Sequence, residues 1–386
     1  MIFPSYDGSS IVNLMQSIAV AKRADLGLYD ELEGLDGLQL SAFSNIVLLV
    51  IDGLGYKFIK QFPDSCIYSH LKQRMTTVAP PTTAAAVTSF LTGLAPQQHA
   101  LTGWFTHLRE LGVVTTVLPY MARVGGPQMG AWGRAIEKVI DLPSFFDQLP
   151  CSSFSITPSW LETSVFNRML TGAATMLPYD GLAAYFNTIE AAVKSNLSDK
   201  YIYAYWPGFD AIAHEYGIAS RQAKQHFEVL DQSFATLLDQ LAGTDTVLML
   251  SSDHGFIDSP KERQIQMAKH PDLKDCLMMP LCGEPRLSYC YVRHDCRQFF
   301  EKYVTTELRH AVDLCPSRWL VEQGLFGLGE AHQELLPRVG DYTLVLKDNY
   351  VITDSLIGDA EFKMSGFHGG LSADEMYVPL VYAECR

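Results

Sequence analysis

The segment Ile46–Ile51 has the sequence IVLLVI and is followed directly by Asp52 and Gly53. Six consecutive apolar residues are typical of a strand that is covered on both faces, as strands are in parallel sheets. A carboxylate directly after such a strand lies at the carboxyl edge of the sheet, where ligands bind in open α/β folds. This stretch therefore predicts both a buried parallel sheet and a candidate functional edge.

Four further segments have a similar apolar character and predict strands of the same buried sheet: Val113–Leu118, Phe154–Thr157, Tyr201–Trp206 and Val247–Ser251. Helical patterns lie before or between them, at Ile11–Val20, Thr83–Leu91, Leu182–Ser195 and Ser220–Leu241. This alternation indicates an α/β fold that is doubly wound, with a mostly parallel central sheet between helical layers.

The pattern changes after His254. Two predicted strands, Leu287–Val292 and Tyr342–Leu346, and a helical stretch, Phe299–Ala311, indicate a small α+β insertion or lid over residues 256–366. Residues 1–255 and 367–386 would then form the catalytic core. Met376–Tyr382 predicts a strand that returns to the main sheet. Its Pro379 favours an edge position, because proline cannot donate a hydrogen bond to a neighbouring strand.

The charge balance restricts the possible partners. The chain has 386 residues and a net charge of −14 at pH 7. Such a chain is a poor binder of nucleic acid polymers, whose phosphates need cationic side chains, and anionic membrane surfaces repel it. A small phosphorylated substrate remains compatible with this charge if bound metal ions reverse the local field.

Targeting and redox features predict a cytoplasmic protein. Residues 1–25 lack the basic start, apolar core and cleavage site of a secretory signal. No apolar run of about 18 residues is present, so no transmembrane helix is expected. The eight cysteines are scattered without a Cys-x-x-Cys pair, and reduced thiols are their expected state. The sequence leaves the oligomeric state open.

Acidic residues and histidines cluster after the predicted strands, and they are candidates to bind metal: Asp52, Asp210, His214, Asp253, His254 and His368. An adjacent Asp and His at the end of a buried strand are costly unless a partner satisfies them. Oxygen and imidazole ligands without thiolate suit zinc, and manganese is also compatible. Six ligands are too many for one tetrahedral zinc and fit two divalent metal ions.

The nucleophile candidates lie in residues 79–93, with the sequence APPTTAAAVTSFLTG. A small-residue helix begins at Thr82 and Thr83, after two prolines. A threonine at a helix start is most often an N-cap. The same position also offers free N–H groups to an anion, and a metal-bound hydroxyl there could attack phosphorus. The residues alone leave both threonines open.

The order of these motifs resembles the alkaline phosphatase superfamily, in particular its type I phosphodiesterase and nucleotide pyrophosphatase family. The resemblance rests on residues 49–53 (LVIDG), 81–83 (PTT) with the helix ending 91–93 (LTG), Asp210-x-x-x-His214, 252–255 (SDHG) and His368-Gly369. It implies an alkaline phosphatase-like fold and a two-metal hydrolase of phosphodiester or nucleotide pyrophosphate bonds.

The resemblance also implies roles for individual residues. One metal would be held by Asp52, Thr83, Asp253 and His254, and the other by Asp210, His214 and His368. The family spacing selects Thr83 over Thr82 as the nucleophile. The implied reaction is an in-line attack that gives a phospho-threonine intermediate, followed by attack of water.

The sequence departs from the family at the oxyanion contact. The family usually has an Asn shortly after the nucleophile, and the positions here are Ala84, Ala85 and Ala86. The Ala84 N–H or the side chain of Arg286 are candidate replacements, and Trp104 and Tyr205 are candidates to line the substrate pocket. The expected partner is a small phosphorylated substrate, with a nucleotide among the candidates.

Two other functions stay open at this point. One is a phosphomonoesterase or phosphonate hydrolase on the same scaffold, which the missing Asn favours. The other is a metal-stabilised binding protein without turnover.

Overall fold

The computed structural model describes residues 1–125, 136–356 and 364–386. Within them the strands are β1 (Asn45–Ile51), β2 (Leu71–Thr76), β3 (Phe105–Leu108), β4 (Val113–Thr116), β5 (Met121–Ala122), β6 (Ser152–Pro158), β7 (Thr175–Tyr179), β8 (Lys200–Trp206), β9 (Thr246–Ser251), β10 (Ile257–Asp258), β11 (Gln264–Gln266), β12 (Cys282–Glu284), β13 (Leu287–Cys290), β14 (Val312–Pro316), β15 (Tyr342–Leu346), β16 (Val351–Thr353), β17 (Gly366–Phe367) and β18 (Tyr377–Cys385).

The α-helices of the same residues are α1 (Ile11–Ala21), α2 (Gly37–Leu40), α3 (Tyr56–Ile59), α4 (Cys66–Ser69), α5 (Thr83–Thr92), α6 (Pro96–His99), α7 (Val165–Thr171), α8 (Leu182–Val193), α9 (Gly208–Tyr216), α10 (Arg221–Leu241), α11 (Pro271–Lys274), α12 (Arg297–Thr306), α13 (Ser317–Glu322), α14 (Leu335–Arg338) and α15 (Ala373–Met376). The predicted helices at α1, α5, α8 and α10 are confirmed. The predicted helix Phe299–Ala311 is shorter, because α12 ends at Thr306 and the chain enters β14.

A seven-stranded sheet with the order β2-β18-β9-β1-β8-β6-β7 forms the centre of the molecule. β1, β6, β7, β8 and β9 are parallel, whereas β18 pairs antiparallel with β9 and β2. Ile46, Leu48 and Val50 of β1 enter a core that also contains α1 and α5. The alternate residues of β1 enter a second core with α8 and α10. Helical layers therefore cover both faces, and the predicted doubly wound fold is confirmed.

The register of the parallel strands determines where the polar residues lie. Ile51 at the end of β1 pairs with Trp206 of β8, and Val50 pairs with Ser251 of β9. Asp52 and Asp253 follow β1 and β9, and Asp210 lies in the first turn of α9 after β8. The three carboxylates therefore reach the same edge of the sheet.

A second seven-stranded sheet has the order β14-β15-β13-β12-β3-β4-β5 and is antiparallel throughout. The expectation that Val113–Leu118 is a strand of the main parallel sheet is wrong, because β4 lies here between β3 and β5. The four-residue connection from Leu108 to Val113 explains this position. A connection of that length can join antiparallel strands only, since a parallel crossover needs a dozen or more residues.

The returning strand β18 is confirmed, but its predicted edge position is wrong, because β18 lies between β2 and β9. Pro379 pairs with Arg74 of β2, and pairing with β9 begins only at Val381, after a register shift. Proline is tolerated there because this part of the strand has a neighbour on one side only.

Residues 256–356 supply β10–β16 and α11–α14, and the second sheet also includes β3–β5 from earlier in the chain. The proposed division into a core and a 256–366 insertion stays a prediction, and residues 357–363 of that insertion lie outside the described residues.

A buried ion pair connects the second sheet to the segment before β18. Arg286, in the turn between β12 and β13, forms a two-pronged pair with Glu375 of α15 at 3.0 and 2.8 Å. Its remaining donors reach the backbone carbonyl oxygens of Lys347, Asp348 and Tyr350. Burial alone would raise the pKa of Glu375, but Arg286 and the neighbouring donors outweigh burial and lower it.

We expect Arg286→Ala to lower the free energy of unfolding by about 3–5 kcal/mol, because it leaves a buried carboxylate without its cation. Urea denaturation followed by circular dichroism measures this loss. Arg297→Ala is the matched control, since it removes a half-exposed pair with Asp341 and is expected to cost about 0–1 kcal/mol. Equal losses in the two variants would show that the buried pair does not stabilise the contact between the two sheets.

Candidate active site

The first group of metal-ligand candidates surrounds Thr83 at the start of α5. Thr83 Oγ1 lies 3.5 Å from Asp52 Oδ2 and 3.3 Å from His254 Nε2. His254 Nε2 is also 3.3 Å from Asp52 Oδ1 and 3.5 Å from Asp253 Oδ2. The donor atoms of Asp52, Asp253 and His254 all lie within 4.8 Å of one another. One ion could therefore contact all three residues and the Thr83 hydroxyl.

The second group lies beside the first. Asp210 Oδ1 is 3.4 Å from His214 Nε2, one turn along α9, and 3.9 Å from His368 Nε2. The rings of His368 and His254 stack with their centroids 3.7 Å apart. The donor atoms of Asp210, His254 and His368 form another group within 4.8 Å. The structure thus brings all the predicted ligand residues together.

Each histidine is oriented by a backbone carbonyl. Nδ1 lies 2.9 Å from the Gly366 oxygen in His214, 3.1 Å from the Pro81 oxygen in His368, and 3.2 Å from the Gly255 oxygen in His254. A carbonyl only accepts, so Nδ1 carries the proton and donates. Nε2 of each ring is then left with its lone pair, as in histidines that bind metal.

The electrostatics of the three carboxylates fit cations. Asp52 Oδ1, Asp210 Oδ1 and Asp253 Oδ2 are buried, and no described residue donates a hydrogen bond to them. Burial is the main cause that raises the pKa of Asp210 to about 7 and of Asp253 to about 8. Burial and the charge of Asp210 also raise the pKa of Asp52. Unpaired buried carboxylates are costly, and divalent cations would satisfy them.

Tyr205 holds one of these carboxylates in place. Its hydroxyl donates a short hydrogen bond to Asp52 Oδ2, and burial, followed by the charge of Asp52, raises the pKa of Tyr205. Its side chain also lines a cavity of about 480 Å³ that opens onto Thr83, Asp52 and Asp210. Tyr205 was predicted from the sequence to line the substrate pocket. Its contact with Asp52 adds a second role, which is to orient a metal-ligand candidate.

The large cavity has mostly apolar walls, formed by Val87, Leu91, Trp104, Leu118, Trp160, Leu161 and Phe166. Trp160 is 65% exposed at the rim, so it is available to cover a bound group. Asn167 also lines this cavity and supplies an amide. Trp160 and Asn167 could not be predicted as pocket residues from the sequence, since neither lies in a recognisable motif.

The loop before β13 contributes a different residue from the one predicted. Arg286 does not line the cavities, because its donors are engaged by Glu375 and backbone carbonyls. Glu284, two residues earlier, accepts hydrogen bonds from Thr82 Oγ1 and the Trp104 N–H, both at 2.6 Å. Its signal in the sequence is an acidic residue two positions before Arg286, in the segment CGEPR at residues 282–286.

Ala84 is fully buried as the second residue of α5, directly beside Thr83. The first N–H groups of a helix have no acceptor within the helix. Its role as an oxyanion contact stays a prediction.

The arrangement of an α/β sheet, two Asp/His groups and a threonine at a helix start defines a member of the alkaline phosphatase superfamily. Within it, the chain belongs to the type I phosphodiesterase / nucleotide pyrophosphatase family, whose model matches residues 46–371. This family is metal-dependent, and membership supports phosphoester hydrolysis. A comparison with curated proteins gave no match.

Solved structures share the fold. A murine ectonucleotide pyrophosphatase / phosphodiesterase 5, an inactive form in complex with AMP, is 14% identical with a TM-score of 0.66, over 87% of each chain. The human protein is 16% identical with a TM-score of 0.65, also over 87% of each chain. Phosphonoacetate hydrolase from Sinorhizobium meliloti 1021 is 14% identical with a TM-score of 0.63, over 88% of this chain and 90% of its own.

Among the described helices, none has both the length and the apolar character needed to cross a membrane.

We expect metal removal to destabilise the protein increasingly as the pH rises. The folded-state pKa values of Asp210 and Asp253 are raised to about 7 and about 8, so the metal-free protein is most stable while these groups are protonated. It loses that stability as the pH rises through these values. Differential scanning fluorimetry of chelator-treated protein should show a melting temperature that falls between pH 6 and 8.5. Zinc or manganese should raise it by roughly 5 °C at the higher pH.

Asp253→Asn is the diagnostic variant for this effect. Without metal at pH 8.5 it should melt above the metal-free wild type, and added metal should raise its melting temperature less. Asp239→Asn, at an exposed position of α10, is the control and should behave like the wild type. A metal response of equal size in Asp253→Asn and wild type would contradict the assigned ligand set.

Proposed function

We propose that this protein is a two-metal phosphodiesterase that uses Thr83 as its nucleophile. The main support for this proposal is the position of Thr83 Oγ1, which lies at the start of α5 and within 3.5 Å of Asp52 and His254. Its hydroxyl also faces the large cavity, where a substrate can reach it. The murine neighbour in complex with AMP is an inactive form with a Thr-to-Ala substitution, which is consistent with a threonine nucleophile in this fold.

The ligand roles are those that the family resemblance implies. Asp52, Asp253 and His254 would hold one ion together with Thr83, and Asp210, His214 and His368 the other. Zinc is the proposed metal, with manganese as the alternative. When bound, the ions would ionise the Thr83 hydroxyl and neutralise charge on the attacking and leaving oxygens.

The reaction itself has two displacements at phosphorus. Thr83 Oγ1 forms a bond to phosphorus as the bond to the leaving ester oxygen breaks, and that oxygen takes up a proton. A water then loses a proton and forms the new bond to phosphorus as the bond between phosphorus and Thr83 Oγ1 breaks, and Thr83 Oγ1 takes up a proton and becomes a hydroxyl again. The residues of the chain orient the reacting groups: Tyr205 orients Asp52, and the free N–H groups at the start of α5 would donate to the phosphate oxygens.

The large cavity supports a diester over a monoester. Both kinds of ester carry a leaving group, but a diester carries a second substituent as well, and about 480 Å³ lies beside Thr83 with apolar and aromatic walls. Such walls suit a second ester substituent, and the flat face of a nucleobase would stack on Trp104 or Trp160. A nucleotide is therefore a candidate substrate, in keeping with the AMP bound by the murine neighbour.

We expect Thr83→Ala to reduce bis-para-nitrophenyl phosphate hydrolysis by at least about 10³-fold, because no other hydroxyl takes its place. Thr82→Ala is the matched control. It removes a hydroxyl one residue away that bonds to Glu284, and it should cost much less activity. Metal content and melting temperature of both variants should stay close to the wild type. Wild-type turnover in Thr83→Ala would refute the nucleophile assignment.

Diester preference is tested with the wild type alone. With zinc or manganese bound, kcat/KM should be higher for bis-para-nitrophenyl phosphate than for para-nitrophenyl phosphate. Faster monoester cleavage would favour a phosphomonoesterase, and cleavage of a phosphonate but neither ester would favour a phosphonate hydrolase. Metal binding without any turnover would point to a binding protein.

A further inference from the structure

Two cysteines, Cys276 and Cys296, lie next to each other at the base of the β12–β13 hairpin. The Arg293 N–H donates to the Cys276 carbonyl oxygen at 2.9 Å, and the Cys296 N–H donates to the Arg293 carbonyl oxygen at 2.9 Å. A side-chain hydrogen bond joins the two thiols. The backbone therefore holds these residues together, and their sulfur atoms need only a small movement to bond.

The other two cysteines of the same hairpin, Cys282 and Cys290, are arranged differently. Cys282 pairs with Tyr289 across the two strands, so Cys290 is one residue further along and its side chain points to the opposite face of the sheet. The two thiols accordingly pack in different core clusters. A disulfide between them would need a movement of the backbone, and the hairpin thus separates this pair from Cys276 and Cys296.

Cys276 and Cys296 differ in access and in protonation. Cys276 is 3% exposed and packs with Phe300 and Val304 of α12. Burial, followed by the hydrogen bond with Cys296, raises the pKa of Cys276 to about 11, so this thiol keeps its proton at neutral pH. Cys296 is only partly buried and caps the start of α12. An oxidant in solution therefore reaches Cys296 first, with Cys276 behind it.

A bond between these two sulfurs would close a ring over residues 276–296, which contain the whole hairpin. The far end of that hairpin contacts the rest of the molecule through Glu284, which accepts from Thr82, and through Arg286, which pairs with Glu375. Closing a loop restricts the unfolded chain and so stabilises the folded one. The bond would fasten the hairpin at its base, opposite the end that lies beside the nucleophile segment.

We propose that Cys296 and Cys276 are a site of reversible oxidation, at which hydrogen peroxide produces a disulfide that locks the base of the hairpin. The Cys296 sulfur first bonds to a peroxide oxygen as the O–O bond breaks, and the leaving hydroxide takes the thiol proton and becomes water. The Cys276 sulfur then bonds to the Cys296 sulfur as the S–O bond breaks, and hydroxide leaves with the Cys276 proton as a second water. The two thiols lose two electrons, which the peroxide gains.

This inference goes beyond the proposed hydrolysis and does not depend on it. A small dithiol such as dithiothreitol would reverse the oxidation by thiol–disulfide exchange, in which its own two thiols are oxidised.

The test is peptide mapping of the full-length, metal-loaded protein. The protein is treated with hydrogen peroxide, quenched with catalase, alkylated and digested with trypsin. We expect one main linked product, joining residues 275–286 to residues 294–297, and fragmentation should assign the link to Cys276 rather than Cys282. Dithiothreitol should remove the link. Before that treatment, the oxidised protein should melt roughly 5 °C above the reduced protein, because the loop is closed.

Three serine variants test the two roles. Cys296→Ser should form no link, and its melting temperature should not respond to peroxide. Cys276→Ser should stop at the sulfenic acid on Cys296, which dimedone labels. Cys315→Ser is the matched control, because it removes another partly buried thiol of the second sheet, and it should form the link as the wild type does. If Cys276→Ser fails to fold, the wild-type peptide map still decides.

Several results would overturn the proposal. One is wild-type protein whose Cys296 is oxidised by peroxide but remains unlinked. Another is a main link to Cys282, or one that dithiothreitol does not remove. A melting-temperature response of equal size in Cys296→Ser and wild type would also overturn it. None of these measurements uses turnover, so each outcome leaves the proposed hydrolysis untouched.

Discussion

The mutual repulsion of three buried carboxylates is the constraint on which the rest of this structure depends. Asp52, Asp210 and Asp253 converge because their strands are adjacent and in register, and burial raises the pKa of each. Hydrogen bonds offset this repulsion only in part. Tyr205 donates to Asp52, and the Gly53 N–H donates to Asp253 at 3.0 Å. One oxygen of each group accepts no hydrogen bond from the described residues, and a cation would remove the remaining cost.

Much of the main sheet could be predicted from the sequence because its signals are local. Segments such as IVLLVI are apolar throughout, and this composition alone predicts a strand that is buried on both faces. Val113–Leu118 was misplaced because its local composition says nothing about which strand it pairs with. The edge position predicted from Pro379 was wrong for the same reason. Proline prevents a hydrogen bond on one side of a strand at one position, whereas β18 changes partners along its length.

The candidate site was predictable where residue type and position both pointed to metal binding. The choice between Glu284 and Arg286 could not be predicted, because Glu284 is the last residue of β12 and Arg286 lies in the two-residue turn that follows it. Glu284 ends its strand beside Thr82, and Arg286 reaches the distant Glu375. Only these tertiary partners show that Arg286 has a structural role and that Glu284 lies beside the candidate nucleophile segment.

The position of β18 also bears on how the chain is made. β2 and β9 are synthesised before β18, yet each depends on β18 for its hydrogen bonds on one side. Until β18 emerges, the nascent chain exposes the edges of both strands while α5 and its threonine are already synthesised. Unpaired edges of this kind are prone to aggregation, so the nascent chain is exposed to this risk until β18 is synthesised.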